Sequence, residues 1–530
     1  MKKKLLLASV ALAASMVFAN GAMAKTFVYC TEGSPETFNP ALTTAGTTLN
    51  ATAIPVYNTL IQIEWGGTAA VPGLAESWSF SDDGLTMTLN LRKGVSWHTT
   101  AYFTPSREFN ADDVVFTFER MLKADHPYHP ISGATYDYFN DVGMPGLLAS
   151  IEKVDDYTVN FHLTTRNSTV VSMLTLSSFS ITSAEYAEQM MAAGTPEKLD
   201  LQPVGTGPFA WVSYETDTQI NYVANPNYWE GAPKIDELVF SITPDNSVRF
   251  AKMQAGECNF MAYPNPADLE AMKADSNLQV VQQEGFNIGY LAFNTEKAPF
   301  NDKRVRQAIS HAIDKAAIME AVYQGAGTPA INFIPPGLWS YNTSVEDVTY
   351  DPELARKMLA EAGVADGFKA TLWYLPVQRP YNPNGKLMGE LMQADLAKVG
   401  IAVELVTYEW AEYRKRVRAG EHDLVMLGWT GDYGDPDNFF GALLSCAAAP
   451  ESSSRWCYEQ FDSLITQSAQ ITDLAERTKL YEEAQVIFKE EAPVYTVAHS
   501  LVSEIMSASV SGYKMSVFGA HDFKFVDIAE

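Results

Sequence analysis

The sequence predicts an α/β protein built on a parallel sheet and joined to a separate module of α+β character. Three observations carry this prediction. Between residues 351 and 437, short apolar runs alternate with helical segments. Residues 85–163 instead hold runs that alternate apolar and polar positions. No repeat, low-complexity stretch or long linker divides the 530 residues. At roughly 100–200 residues per domain, this length suggests two to four domains.

The chain opens on Lys2, Lys3 and Lys4, an apolar stretch at 5–18, and the small-residue sequence Ala22-Met23-Ala24. These are the three parts of a secretory leader. The apolar stretch is shorter than the roughly 20 residues a bilayer span needs. Cleavage after Ala24 is expected, giving a mature chain that starts at Lys25 and inserts in no membrane. With no cysteine at the cleavage point, no lipid anchor is expected. Losing three lysines takes the formal charge from −27 to about −30. So acidic a chain argues against nucleic acid or an anionic membrane surface as partner.

Residues 85–91 (Leu-Thr-Met-Thr-Leu-Asn-Leu) and 157–163 alternate as strands covered on one face do. A helix is expected over 112–122, opened by Asn110. Apolar strands are expected at 239–242 and 288–293. Further on, Asp351 can cap a helix, Pro352 suits its first turn, and Gly363 can end it. A strand at 370–374, a helix at 386–399 stopped by Gly400, a strand at 401–406, a helix at 410–419 and a strand at 424–427 complete the series. This β-α-β-α-β order implies a parallel sheet wrapped by helices. Ligands of such sheets bind beyond the carboxyl ends of the strands.

Two loops lie at those ends. Residues 376–384 (Pro-Val-Gln-Arg-Pro-Tyr-Asn-Pro-Asn) place one cation, Arg379, in a segment stiffened by three prolines. Residues 428–437 (Gly-Trp-Thr-Gly-Asp-Tyr-Gly-Asp-Pro-Asp) place Asp432, Asp435 and Asp437 among three glycines. One fixed positive and one fixed negative group suit a zwitterion charged at both ends, such as a short peptide with free termini. Trp429 and Tyr381 stand beside these charges and can form apolar walls. The alternatives are ordinary: Arg379 could stack on Tyr381 or pair with a surface acid, and Asp432 could cap the helix starting near Asn438, a task better suited to Asp435 or Asp437.

Catalytic signatures are missing. There is no Gly-x-Ser-x-Gly, no phosphate-binding Gly-x-x-x-x-Gly-Lys and no His-Glu-x-x-His. Gly205-Thr206-Gly207-Pro208 lacks a third glycine at dinucleotide spacing and reads as a tight crossing between domains. His126-Pro127-Tyr128-His129 has no third ligand nearby. The acidic loop has Leu443 where a calcium loop needs a bidentate glutamate. Neither catalysis, a cofactor nor a metal is expected. Four cysteines in an exported chain favour two disulfides. Of three pairings, spacing favours Cys446–Cys457 closing a short loop, with Cys30–Cys258 tying the N-terminus to the middle.

Several segments together resemble a known family. They are Gly73-Leu74-Ala75-Glu76-Ser77-Trp78, residues 91–98 (Leu-Arg-Lys-Gly-Val-Ser-Trp-His), residues 109–116 (Phe-Asn-Ala-Asp-Asp-Val-Val-Phe), Gly205-Thr206-Gly207-Pro208-Phe209 and Val305-Arg306-Gln307-Ala308. With them the chain resembles extracytoplasmic solute-binding proteins of the peptide, opine and nickel class, which serve ABC importers. The Arg379 and Asp432 segments and the four cysteines are most similar to the dipeptide carriers of that class. The resemblance implies a two-lobed type II periplasmic binding fold with an additional α+β domain and hinge closure. Residues 25–56, 206–284 and 503–530 would form domain I, 57–205 domain II and 285–502 domain III. It implies that Asp432 binds a peptide's amino group and Arg379 its carboxylate, with groups near Thr44 and Gly46 adding hydrogen bonds. It further implies a periplasmic, monomeric receptor whose partners are dipeptides, an inner-membrane permease and a chemoreceptor. Other members carry longer peptides, nickel or haem, which stand as the alternative cargo.

Overall fold

The computed structural model describes residues 24–133 and 135–529. The expected leader, except Ala24, lies outside the described residues. Two lobes and a third module each have a core of their own. In the first lobe, Thr26–Thr31 pairs in parallel with both Glu237–Ile242 and Phe260–Ala262. The hairpin of Phe209–Glu215 and Gln219–Ala224 widens this sheet. Phe27, Tyr29, Phe240, Phe260 and Phe523 pack together beneath it.

The second lobe carries the β-α-β-α-β series. Asp351 caps the helix Pro352–Glu361 by accepting from the Leu354 amide at 2.9 Å. Asn384 does the same for Gly385–Lys398 through the Leu387 amide at 3.1 Å. The strand Phe368–Trp373 lies between Ile401–Val406 and Leu424–Thr430 and is parallel to both. Their carboxyl ends therefore share one edge, which carries the loops at 376–384 and 428–437. The lobe's sheet as a whole is mixed, because Asn287–Phe293 runs antiparallel to Leu424–Thr430.

Residues 75–163 form a four-stranded antiparallel sheet of Ala75–Phe80, Thr86–Leu91, Thr158–Leu163 and Leu148–Asp155. The helix Ala111–Leu122 packs on it, and Asn110 and Asp113 form its capping box. Among the described residues, the module's buried core is drawn from residues 41–204 and Tyr433, with Trp229 packed against it. Where the chain leaves the module it runs against Val56, whose carbonyl accepts from the Gly207 amide at 2.9 Å.

One element joins the lobes and was not legible in advance. The 14-residue strand Val494–Ser507 pairs with Asn287–Phe293 along its first half. Its second half pairs with Leu278–Glu284 and Phe260–Ala262, so both lobes share one 12-stranded sheet. Its side chains are buried almost throughout, so the period-two alternation of a half-exposed strand is absent. The chain crosses between lobes a second time at Gly285 and Phe286, beside the first. The Gly285 amide donates to the Ser500 carbonyl at 2.9 Å, and a Cβ on Gly285 would stand 2.7 Å from that oxygen. Only glycine allows the two crossings to lie so close.

Disulfides join Cys30 to Cys258 and Cys446 to Cys457. Among the described residues, no helix is long and apolar enough to cross a membrane.

Candidate functional site

The acidic loop is held from several sides. Asn438, buried at the start of the helix Asp437–Leu444, organises it: its side-chain oxygen accepts from the Trp429 indole at 3.0 Å and the Asp432 amide at 2.8 Å. Its amide nitrogen donates to the Asp432 carboxylate at 3.3 Å. Tyr433, 1% exposed, inserts into the core of the α+β module. Asp435 pairs with the buried Arg477 at 2.8 Å and accepts from the Asp437 amide at 3.1 Å. Asp435, not Asp432, therefore serves the helix start, and it is not free to bind anything else. Asp432 is left half-buried against the cavity. Burial pushes its carboxyl up to about 6, although hydrogen bonds from the Tyr138 hydroxyl and Asn438 act in the opposite direction. Asp437 is pushed up to about 7, first by burial and then by the charge of Asp435.

The arginine loop is held lightly. Arg379 and Asn382 exchange two backbone hydrogen bonds, at 3.1 and 3.0 Å, around the turn Pro380-Tyr381. The Arg379 guanidinium lies 4.7 Å from the centre of the Trp410 ring, so its stacking partner is Trp410 and not Tyr381. Among the described residues Arg379 forms no ion pair. An arginine fork with no protein carboxylate against it is available to a ligand carboxylate.

Tyr381 joins the two loops. Its backbone carbonyl accepts from the Tyr323 hydroxyl at 2.8 Å, and its ring lies on Gly428. A Cβ at 428 would meet that ring at 2.2 Å, so glycine there is what allows the loops to touch. Arg379, Tyr381, Trp429 and Asp432 then line one cavity of about 1760 Å³. Thr44 and Gly46, at the start of the helix Gly46–Ala51, line it from the first lobe, and Tyr138 from the α+β module. All six sequence-predicted ligand contacts thus face a single cleft. Near them, Glu32 is held by the Thr47 hydroxyl at 2.7 Å and the Tyr29 hydroxyl at 3.2 Å. Among the described residues, no group of three His, Cys, Asp or Glu could hold a metal ion.

The sequence reading missed Asn438, Tyr138, Trp410 and Tyr433. Asn438 follows directly on the acidic segment, and Trp410 opens a predicted helix, so both had a local signal. Tyr138 had none, because its place is set by the docking of a distant module.

The family model of bacterial extracellular solute-binding proteins, family 5, matches residues 69–451. The chain is 52% identical over 516 residues to the dipeptide-binding protein of Escherichia coli K12, spanning 97% of this chain and 96% of that protein. It is 51% identical over 504 residues to heme-binding protein A of Haemophilus influenzae, spanning 95% and 92%. The crystal structure of a dipeptide-binding protein from Pseudoalteromonas sp. SM9913 with Met-Leu superposes with a TM-score of 0.86 at 40% identity, over 95% of this chain and all of that one.

Proposed function

The chain belongs to the bacterial extracellular solute-binding proteins of family 5, and from that premise we propose that it captures dipeptides by their free termini and hands them to an ABC permease. The observation that carries this reading is a pair of opposite charges in one cleft. The Asp432 carboxylate would take the peptide's ammonium and the Arg379 guanidinium its carboxylate. Thr44, Gly46, Tyr381 and Trp429 would supply hydrogen bonds and walls. Each peptide residue adds about 3.3–3.6 Å, so two termini lie roughly 7 Å apart, and a third residue displaces one charge from its partner. Breaking one buried charge pair costs about 3–5 kcal/mol, which makes length the selected property. Side chains remain free to vary in a cleft with room for water.

In this reading the protein is a monomeric periplasmic carrier, cleaved after Ala24, with no catalysis of its own and with a chemoreceptor as a further partner. Domain I (25–56, 206–284, 503–530), domain II (57–205) and domain III (285–502) would close about the paired crossings at Gly285 and Leu501–Ser503. Calorimetry tests it. Ala-Ala and Gly-Leu should bind with similar affinity, and alanine and pentaalanine at least about a hundredfold more weakly. Equally tight binding of N-acetyl-Ala-Ala-amide would overturn it. The size of the cavity and the 51% identity to a haem-binding protein favour haem as a second reading. Displacement of a bound dipeptide by haem would decide that.

A further inference from the structure

The Trp410 ring carries a second cation. The Arg414 guanidinium lies 6.0 Å from its centre, one helical turn beyond Trp410 on Trp410–Arg418. Arg379 reaches the same ring from the opposite loop at 4.7 Å. Both arginines line the cleft; burial raises the Tyr381 hydroxyl, and the charges of Arg379 and Arg414 work against that rise. Among the described residues neither forms an ion pair. The charges around Arg414 are mixed. Arg418 lies on the same helix, and Asp141 and Glu451 line the cleft nearby. Burial raises the Asp141 carboxyl, and Arg418, ahead of Arg414, works against that rise.

A single peptide carboxylate occupies one guanidinium fork, as Arg379 alone provides. A second guanidinium at the same ring, with no ion pair of its own, has positive charge to spare beside that fork. We propose that Arg414 is a specificity residue that favours dipeptides whose second residue is acidic, by meeting the side-chain carboxylate while Arg379 holds the terminal one. This rests on Arg379 binding the peptide's carboxyl end and adds a preference among dipeptides. Arg414 is exposed, so the preference should be modest and sensitive to salt.

The test compares ligands that differ only in charge. At low ionic strength, Ala-Glu should bind the wild-type protein about three- to fivefold more tightly than Ala-Gln, the upper part of the range for one exposed ion pair. Ala-Lys should bind more weakly than either. In Arg414→Gln the ratio of Ala-Glu to Ala-Gln should fall to within about twofold, whereas Arg414→Lys should keep part of it. Adding about 0.5 M salt to the wild type should shrink the ratio, a readout that needs no variant. Equal affinities for Ala-Glu and Ala-Gln in the wild type would overturn the proposal. So would a ratio that survives Arg414→Gln. If Ala-Gln itself fails to bind, the dipeptide reading has failed instead.

Discussion

The acidic loop and the arginine loop stand at the same edge of one sheet, yet they are held in different ways. Asp432 sits in a network of Asn438, Trp429 and Tyr138, with Tyr433 anchored in another module and Asp435 fixed by Arg477. Arg379 is held by a two-bond turn, one ring and a hydrogen bond to the Tyr381 hydroxyl. The difference follows from the groups themselves. A carboxylate can be fixed in place by donors and burial, but burial raises its affinity for a proton. A guanidinium stays charged at any physiological pH and needs only a surface to stack on. One end of the cleft is therefore rigid and titratable, and the other adaptable and permanently charged.

The comparison can be broken most directly at its rigid end. Asp432→Asn keeps the shape of the network and removes the charge. Dipeptide affinity by calorimetry should fall by about 3–5 kcal/mol, because the ligand ammonium would be buried without its partner. The ligand-free melting temperature should not fall. Wild-type affinity in this variant would remove Asp432 from the site, and the Arg477-bound Asp435 could not replace it.

At the adaptable end the loss should be smaller. Arg379→Met keeps much of the stem, and water in the cleft can solvate part of the stranded carboxylate. About 1.5–3 kcal/mol is expected, the range for a charged hydrogen bond. Peptides with an amidated carboxyl end should gain relative to free ones. A loss equal to that of Asp432→Asn would show that the two ends are equally rigid.

Acid should separate the two ends without mutation. With the free Asp432 carboxyl at about 6, binding an ammonium below that pH must expel a proton. Dipeptide affinity should then fall by up to about tenfold per pH unit below 6. Asp432→Asn should flatten this dependence and Arg379→Met should not. For the ligand-free protein the sign is opposite. The folded carboxyl holds its proton more tightly than its ordinary value of 3.8, so this group's contribution to stability falls as pH rises from about 4 to 6, then levels off. Asp437, at about 7, acts in the same direction over a wider window.

The smallest expected effect is at Trp410. Replacing it with Leu removes the ring beneath Arg379 and should weaken dipeptides by about 0.5–1 kcal/mol, the range of an exposed cation–π contact. An unchanged affinity would mean that the turn and the Tyr381 hydroxyl position the guanidinium without the ring.

Much of this was written locally. Asp351, Asn384 and Asn110 cap their helices, and the strands 401–406 and 424–430 begin where their apolar runs do, because caps and hydrophobic periodicity act within a few residues. The two charged loops were legible for the same reason: each follows a buried strand of a parallel series, and the order of elements puts such loops on one edge. The tertiary structure decided the rest. It stacked Arg379 on Trp410 and left the Tyr381 hydroxyl as its hydrogen-bond partner. It committed Asp435 to Arg477, brought Tyr138 from the α+β module to the acidic loop, and sent Tyr433 of that loop into the module's core. It also made Val494–Ser507 the strand shared by both lobes. These contacts join residues far apart in the chain, and a strand buried on both faces has no alternation to read. The residue types, caps and apolar runs specified the elements and the charges they carry; only packing determined which charges stay free.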